Sequence, residues 1–425
     1  MKYMRGRIVW FAVLGIMWAA NHAAFGKVVV TNIPPNSTTI RYPLVLVEGT
    51  HDGKRFIVET TPRELEVSST TRGDRFRFLV DLKAGQNSVR ITDGESTQEL
   101  TLTYKPAASK DYRLKAWYVI CKNENPMNGV FNVNLTPLYK EKISTQIKLM
   151  QTWSAEDMKR GGYGPMTFYP LYDENSYVDV GLITLSMTRD EILASKESIY
   201  GICYRHLPEE FRAPTFKNVA FITVKAAALG NSNFCVVGTK TLMKLGPVHV
   251  REIMDALASP VRVDYLTWAR YTGVTLHETG HMMHKAWHPG GAHNIIQNGY
   301  DISRAFTLHA VENHKRLETW GDHQPLMSWN RFFMSPDPAT YKAGEVKVEV
   351  KDGIITATSP YELAVVYYYI PNGWPTLSRT IASEHVKTYS MTVNEAWIEL
   401  RKKKDWFNVM AVDVEGNMSY TRATL

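Results

Sequence analysis

The chain contains one complete His-Glu-x-x-His sequence, His277-Glu278-Thr279-Gly280-His281. On a helix, side chains four residues apart lie on one face, so both imidazoles can bind a single Zn²⁺. A glutamate beside the first ligand is placed to take a proton from water whose pKa the metal lowers to about 7. The motif therefore predicts a catalytic zinc site, with His277 and His281 as ligands and Glu278 as the general base.

A catalytic zinc site needs a third protein ligand, and the sequence offers three candidates. His288 follows His277 by eleven residues. On an unbroken helix that separation would be about 16 Å, so the chain must turn back for both to bind one metal. Pro289-Gly290-Gly291 directly follows His288 and favours such a turn. His288 is the first candidate and His293 the second. Glu312 is the third, because a glutamate from a downstream helix is the other common arrangement.

Other histidines surround the motif. Of 13 histidines, eight lie between residues 277 and 323, namely His277, His281, His284, His288, His293, His309, His314 and His323. We expect His284 to pack or hydrogen-bond beside the site. We expect three others, His309, His314 and His323, to lie on the surface or to support the metal ligands from behind rather than to bind the metal.

The residues around the motif predict the buried helix that must carry it. Apolar residues lead into it and flank it at Val274, Leu276, Met282 and Met283. Further helices are predicted over 136–160, 248–258 and 305–314, and a buried strand is predicted at 117–121. The segment from about 106 to 336 is therefore expected to form an α/β domain.

Two regions with alternating strand patterns flank this domain. Before it, short strands are predicted at 27–31, 42–47, 75–80 and 99–104; after it, at 345–350, 363–369 and 406–413. Strands at this spacing are typical of small β-sandwiches. The expected fold is α+β and multi-domain: a signal peptide over 1–26, β-sandwich-like domains over 27–105 and 337–425, and the α/β domain over 106–336.

The first 26 residues have the layout of a secretory signal. Lys2, Arg5 and Arg7 precede an apolar run of 13 residues from Ile8 to Ala20. That run is shorter than the roughly 20 residues that a spanning helix needs, and small residues suitable for cleavage follow it. We expect a secreted protein without a membrane span in the mature chain; an uncleaved signal anchor is the alternative.

Charge and cysteine content exclude several other classes. The net charge of +7 is modest for 425 residues, and the basic run Arg401–Lys404 is more typical of a solvated turn than of a binding patch. We therefore expect no nucleic-acid partner. Cys121, Cys203 and Cys235 lie in apolar surroundings, which favours buried thiols at least as much as one disulfide. Asn36, Asn134 and Asn417 begin sequons, so a glycoprotein is expected if the host glycosylates.

The order of four motifs resembles a family of zinc metallopeptidases of fungi and animals, whose fungal members carry an added jacalin-like domain. That family's core reads His-Glu-x-Gly-His, a short spacer, a third His, then Gly-Ile-Met and an Arg-Gly-Phe-Asp-like stretch. This chain matches it at 277–281 and 295–301. Upstream, 151–156 with 161–164, and 228–230 with 236–239, resemble two further motifs of the family. The likeness covers roughly residues 111 to 335.

The resemblance implies a metzincin-like catalytic domain with His288 as the third ligand. It also implies that Ile296 stands where the family has the methionine of a turn beneath the metal. Two departures affect the site: His288 comes eleven residues after His277, where the family usually has ten, and the methionine is replaced by isoleucine. Tyr300 is a candidate oxyanion stabiliser, although an aromatic residue here is more often part of the core.

Two functions from different classes fit these observations. The first is a secreted zinc endopeptidase that hydrolyses a polypeptide substrate with Glu278 as general base; zinc-dependent hydrolysis of a non-peptide substrate, such as a glycan-linked amide, is a variant of this interpretation that the sequence leaves open. The second is a secreted pseudoenzyme that binds glycans or proteins through its flanking β-domains and keeps a structural or vestigial zinc site. Glu278 favours the enzyme, because a structural zinc site has no need of a general base.

Overall fold

The structure, a computed structural model, describes most of the chain after residue 26. The described ranges are 27–34, 38–52, 56–94, 96–124, 138–224, 228–238, 247–258, 268–284, 294–296, 302–308, 317, 319–334, 341–370, 376–399 and 405–424. The signal-like segment, the basic run 401–404, and the sequons at Asn36 and Asn134 lie outside these ranges. No helix in the described part of the chain is long and apolar enough to cross a membrane.

The first eight strands form two four-stranded sheets, ordered β1-β3-β6-β5 and β2-β8-β7-β4. They are β1 (Val29–Val30), β2 (Thr38–Ile40), β3 (Leu44–Thr50), β4 (Phe56–Thr61), β5 (Val67–Arg72), β6 (Arg75–Asp81), β7 (Gly85–Asp93) and β8 (Ser96–Tyr104). Every second residue of the paired strands faces a shared apolar core, as in a sandwich. Val47, Phe78 and Val80 from one sheet meet Ile91 and Leu100 from the other, all buried.

A five-stranded sheet, ordered β10-β9-β11-β13-β12, follows the first two sheets along the chain. Its strands are β9 (Arg113–Ile120), β10 (Val180–Thr184), β11 (Phe216–Ile222), β12 (Leu229–Asn231) and β13 (Phe234–Gly238). The first four positions in that order run parallel, and β12 pairs antiparallel with β13 at one edge.

Helices cover both faces of this sheet, which explains why β9 is buried at every residue and does not alternate. The described helices between residues 139 and 334 are α1 (Tyr139–Arg160), α2 (Arg189–Ala194), α3 (Ile199–Arg205), α4 (Ile253–Ala258), α5 (Trp268–His284), α6 (Ser303–Phe306), α7 (Gln324–Ser328) and α8 (Arg331–Met334). Short 3₁₀ turns lie at Glu209–Arg212, Val250–Glu252 and Gly321–His323. Ile143, Ile147 and Met150 of α1 share a core with Tyr118 of β9. On the other face Trp117 packs with residues of α3.

The last strands form a second pair of sheets, ordered β14-β15-β18 and β17-β16-β19-β20. They are β14 (Lys347–Lys351), β15 (Ile354–Thr358), β16 (Leu363–Tyr369), β17 (Thr376–Thr380), β18 (Thr388–Thr392), β19 (Trp406–Asp413) and β20 (Met418–Thr424), with a 3₁₀ turn at Ala382–Glu384 and helix α9 (Val393–Glu399) between strands. Val366, Tyr368 and Phe407 face Ile355 and Met391 across their core. The opposite face of β16 packs on α7 through Tyr367.

Polar contacts join the three parts. Arg77 of β6 donates to the carbonyl oxygens of Arg304 and Thr307 at 2.9 and 3.2 Å. Lys148 of α1 pairs with Asp81 of β6 at 2.8 Å. On the other side Arg331 of α8 donates to Asn417 near β20 at 2.6 Å. The flanking sheets are therefore fixed to the elements that surround the His-Glu-x-x-His helix.

The expected fold class is confirmed at the level of a mixed α+β protein with several sheets and more than one domain. The helix predicted over 136–160 is present as α1. All three cysteines are buried and free, so no disulfide joins them. The side-chain nitrogen of Asn417 donates to Asp413 at 2.9 Å and to the Lys342 carbonyl at 3.1 Å, so this sequon's amide is engaged within the fold.

Candidate metal centre

Helix α5 carries the motif in a buried setting. His277, Glu278 and His281 are all buried, at 4, 7 and 9% exposure. Threonine hydroxyls on the same helix bond back to carbonyl oxygens four residues earlier, for example Thr279 to Thr275 at 2.8 Å. These bonds satisfy polar side chains that burial would otherwise penalise. The helix can therefore be almost completely enclosed while it presents ionisable groups to one side.

The two motif histidines meet at their Nε2 atoms, which are 3.1 Å apart. Ligand atoms of His277, Glu278 and His281 all lie within 4.8 Å of one another. Two nitrogen ligands of a tetrahedral zinc, each about 2.0–2.1 Å from the metal, would be about 3.3 Å apart. The pair therefore fits a shared metal ion without a rearrangement of the helix.

The ring of His277 is oriented by a backbone carbonyl. Its Nδ1 lies 2.7 Å from the carbonyl oxygen of Ile295. A carbonyl can only accept, so Nδ1 carries the proton and, in the neutral ring, Nε2 keeps its lone pair. Ligand histidines in metal sites commonly have this second hydrogen bond, which fixes the tautomer and the ring orientation.

Glu278 is a buried carboxyl group whose pKa differs from its ordinary value. Burial raises the pKa of its carboxyl to about 7, and a hydrogen bond from the Gly230 N–H opposes this rise. Gly230 is in edge strand β12, which therefore lies directly against the motif. A Cβ atom at residue 230 would come within 2.2 Å of the Glu278 carbonyl oxygen, so glycine permits the close approach of strand and helix.

A turn at residues 294–296 packs against α5 between the two histidines. Ile296 is fully buried, and a Cβ at Gly280 would come within 1.9 Å of its side chain and 2.8 Å of the Trp320 ring. The glycine inside the motif thus provides the space for this turn. Ile296 thus packs against Gly280 of the motif, and its correspondence to the methionine of the family's turn stays a prediction from the resemblance.

The structure also brings His323, which was predicted at a surface or supporting position, to this region. His323 is fully buried, and its Nε2 lies 3.4 Å from the Tyr367 hydroxyl of β16. Burial, together with the neighbouring His281 and His277, lowers the pKa of His323 to about 3. In the sequence, only the position of His323 in the histidine-rich segment indicated that it could lie near the site. No sequence feature indicated its partner Tyr367, which lies 44 residues further along the chain.

The remaining predicted site residues, His288, His293, Tyr300 and Glu312, lie outside the described residues. Helix α6 ends at Phe306 and Thr307 is extended, so the prediction of a helix over 305–314 is wrong at 307–308, and residues 309–314 lie outside the described residues. In the part of the chain that the structure describes, the group of metal-binding side chains contains His277, Glu278 and His281. The third ligand stays a prediction from the sequence.

Comparison with family models places residues 27–179 in the Metallopep model, described as "Putative peptidase family". The matched segment contains the first sandwich, β9 and α1, and it ends before the His-Glu-x-x-His motif. The chain thus resembles peptidases in a region separate from its candidate metal centre. A search of curated proteins finds no match.

Several solved structures are similar to the chain at low identity. Wild-type OgpA from Akkermansia muciniphila is 15% identical, covering 74% of this chain and 93% of that chain with a TM-score of 0.48. Catalytically inactive OgpA, in complex with an O-glycopeptide substrate, is 13% identical over 73% and 92%, with a TM-score of 0.49. Archaemetzincin from Methanopyrus kandleri is 9% identical over 45% and 83%, with a TM-score of 0.24.

Proposed function

We propose that the protein is a zinc-dependent endopeptidase with a metzincin-like catalytic domain. The observation that carries this proposal is the 3.1 Å separation of the His277 and His281 Nε2 atoms beside a buried Glu278. A glutamate next to two converging imidazoles is useful for hydrolysis and serves no purpose in a closed structural zinc site. The family match over 27–179 independently supports a peptidase.

His277 and His281 would hold the metal, with His288 as the proposed third ligand and His293 or Glu312 as alternatives. When bound, zinc supplies Lewis acidity and lowers the pKa of a water molecule to about 7. The positive charge also favours the ionised form of a nearby carboxylate, which counteracts the effect of burial on Glu278. Glu278 would accept a proton from the water whose oxygen attacks the peptide carbonyl carbon, and would pass that proton to the amine that leaves when the C–N bond breaks. Tyr300 is proposed as a donor to the developing oxyanion.

The substrate would lie along edge strand β12. This strand pairs with β13 on one side, and its backbone reaches Glu278 through Gly230. Leu229, the first residue of this strand, is 45% exposed. An extended peptide can add to such an edge through main-chain hydrogen bonds, which would place a scissile carbonyl close to the motif. We propose a polypeptide substrate bound in this way, with any glycan or protein contacts made by the flanking sheets.

The chain is further proposed to be exported, with residues 1–26 removed. Amino-terminal sequencing of exported protein should give a new start between Ala23 and Val28. Recovery of Met1 in membrane-bound material would contradict this proposal and support a signal anchor.

The decisive test of the catalytic proposal is Glu278→Gln, which keeps the size of the side chain and removes its proton acceptor. Because the histidines are unchanged, zinc content should stay near that of wild type. Cleavage of a broad peptide library should fall by about 10²- to 10⁴-fold, the usual range for a lost general base.

Glu156→Gln provides a matched control. Glu156 is buried to a similar degree, at 6% exposure, and its pKa is also raised by burial, but it lies on α1 next to Tyr42. This variant should retain cleavage if it folds. Equal cleavage by wild type and Glu278→Gln at matched zinc occupancy would contradict the assigned base. Absence of cleavage in wild type would favour the binding protein.

A further inference from the structure

One buried aspartate on α1 is connected to the candidate metal centre through a continuous set of hydrogen bonds. We infer that Asp157 is a positioning residue that sets the orientation of His277 and thereby the affinity of the site for its metal. This inference rests on the proposed metal site. It assigns to that site a residue that lies outside the His-Glu-x-x-His motif, 120 positions earlier in the chain.

The side chain of Asp157 accepts several hydrogen bonds from the segment after residue 318. Asp157 is 1% exposed. Its Oδ2 accepts from the Trp320 backbone N–H at 2.9 Å, from the Thr319 hydroxyl at 3.2 Å and from the Gln324 amide at 2.9 Å. Its Oδ1 accepts from Arg160 at 3.2 Å. A buried carboxylate with this many donors holds them in one geometry, because each would lose its partner if it moved.

The segment that Asp157 holds is in turn paired with the turn beneath the histidines. Asn294 donates to the Trp320 carbonyl oxygen at 3.0 Å. The backbone N–H of Ile295 donates to the Thr319 carbonyl oxygen at 2.8 Å. The side-chain oxygen of Asn294 also accepts from the Ile296 N–H at 2.9 Å. The turn is therefore fixed on both sides of Ile295.

The Ile295 carbonyl is the acceptor for His277 Nδ1, at 2.7 Å. The path thus runs from Asp157 through 319–320 and 294–296 to the ring that presents Nε2 to the metal. A shift of the Ile295 carbonyl would let the imidazole rotate or change tautomer, and both changes reduce its readiness to bind. Loss of such outer hydrogen bonds commonly lowers metal affinity by about 10- to 100-fold.

Local packing shows that the arrangement depends on the approach of α1 to residues 319–324. The Trp153 and Trp320 rings contact edge to face, with centroids 5.4 Å apart. Gly161, just after α1, leaves the space that the Gln324 amide occupies; a Cβ there would lie 2.2 Å from its Oε1. These contacts place Trp320 where its backbone N–H reaches Asp157 and its ring reaches Gly280.

The test compares zinc affinity, measured by chelator competition, in wild type, Asp157→Asn and Asp413→Asn. Asp413 is a matched control: it is fully buried on β19 and accepts from Ser359 at 2.7 Å and from the Asn417 backbone at 2.9 Å. Thermal unfolding of the metal-free proteins reports the purely structural cost of each substitution. We expect both variants to unfold at lower temperature, but only Asp157→Asn to bind zinc about 10- to 100-fold more weakly.

A second variant, Asn294→Ala, keeps Asp157 and breaks the same path nearer to the metal site. It should weaken zinc binding in the same direction, which makes the inference testable even if Asp157→Asn does not fold. Unchanged affinity in the folded Asp157→Asn protein, or in Asn294→Ala if that aspartate variant is unfolded, would overturn the inference. An equal loss in Asp413→Asn would do the same. If wild type itself binds no zinc, the proposed function fails. If wild type binds zinc and Asp157→Asn binds it equally well, only the inference about Asp157 fails.

Discussion

Addition of one methyl group at Gly230 is expected to impair catalysis without touching a metal ligand. The Cβ of an alanine there would lie 2.2 Å from the backbone carbonyl oxygen of Glu278, and 2.9 Å from its carbonyl carbon. Ordinary contact begins near 3.4 Å, so strand β12 and helix α5 must separate by about 1.2 Å. Neither partner is the end of a flexible side chain, so the backbone itself must move.

Two consequences follow for Glu278 from this displacement. The hydrogen bond from the Gly230 N–H weakens, which reduces the interaction that opposes the effect of burial, so the pKa of Glu278 rises further above its ordinary value. Strand β12, along which the substrate is proposed to lie, also moves relative to the general base. A misplacement of about 1 Å can reduce turnover by about 10²-fold. We therefore expect kcat/KM to fall by about two orders of magnitude while zinc affinity changes little.

The assay measures peptide cleavage at matched zinc occupancy for wild type, Gly230→Ala and Gly181→Ala. Gly181 provides the same substitution on β10, at the opposite edge of the sheet, where a Cβ would meet the Trp117 ring at 2.3 Å. Overpacking should cost each variant about 1–3 kcal/mol of stability. Only Gly230→Ala should lose activity beyond its loss of folded protein. Wild-type turnover by folded Gly230→Ala would refute the proposed contact between strand and base.

Two further predictions concern histidines. His288→Ala should weaken zinc binding far more than His284→Ala or Glu312→Ala in chelator competition; loss of zinc in Glu312→Ala alone would instead assign the third ligand to the downstream glutamate. Folding lowers the pKa of His323 from its usual value near 6.5 to about 3. The neutral buried ring therefore contributes to folding stability above about pH 6.5, and this contribution is lost as the pH falls from about 6.5 toward 3. In chelator-treated protein, His323→Gln should reduce the dependence of the urea midpoint on pH over that window, and an unchanged dependence would contradict the burial of a neutral ring.

The candidate motif and the helix that carries it could be predicted because both depend on local spacing. His277 and His281 share a face of any helix, and the apolar residues around them specify a buried one. Helix α1 and strands β16 and β19 were predictable for the same reason. Strand β12 was predicted only as part of a family-like segment, since its three residues are too few to show a periodic pattern.

What surrounds the motif was decided by contacts between residues far apart in the chain. The Gly230 N–H reaches Glu278 across 48 positions, and Tyr367 meets His323 because β16 packs against α7. The raised pKa of Glu278 depends on burial by several elements at once, which no single segment encodes. The sequence by itself thus determined which residues can hold a metal and accept a proton. Only the tertiary structure determined their protonation, orientation and access, because these properties arise from packing between elements that are separate in the sequence.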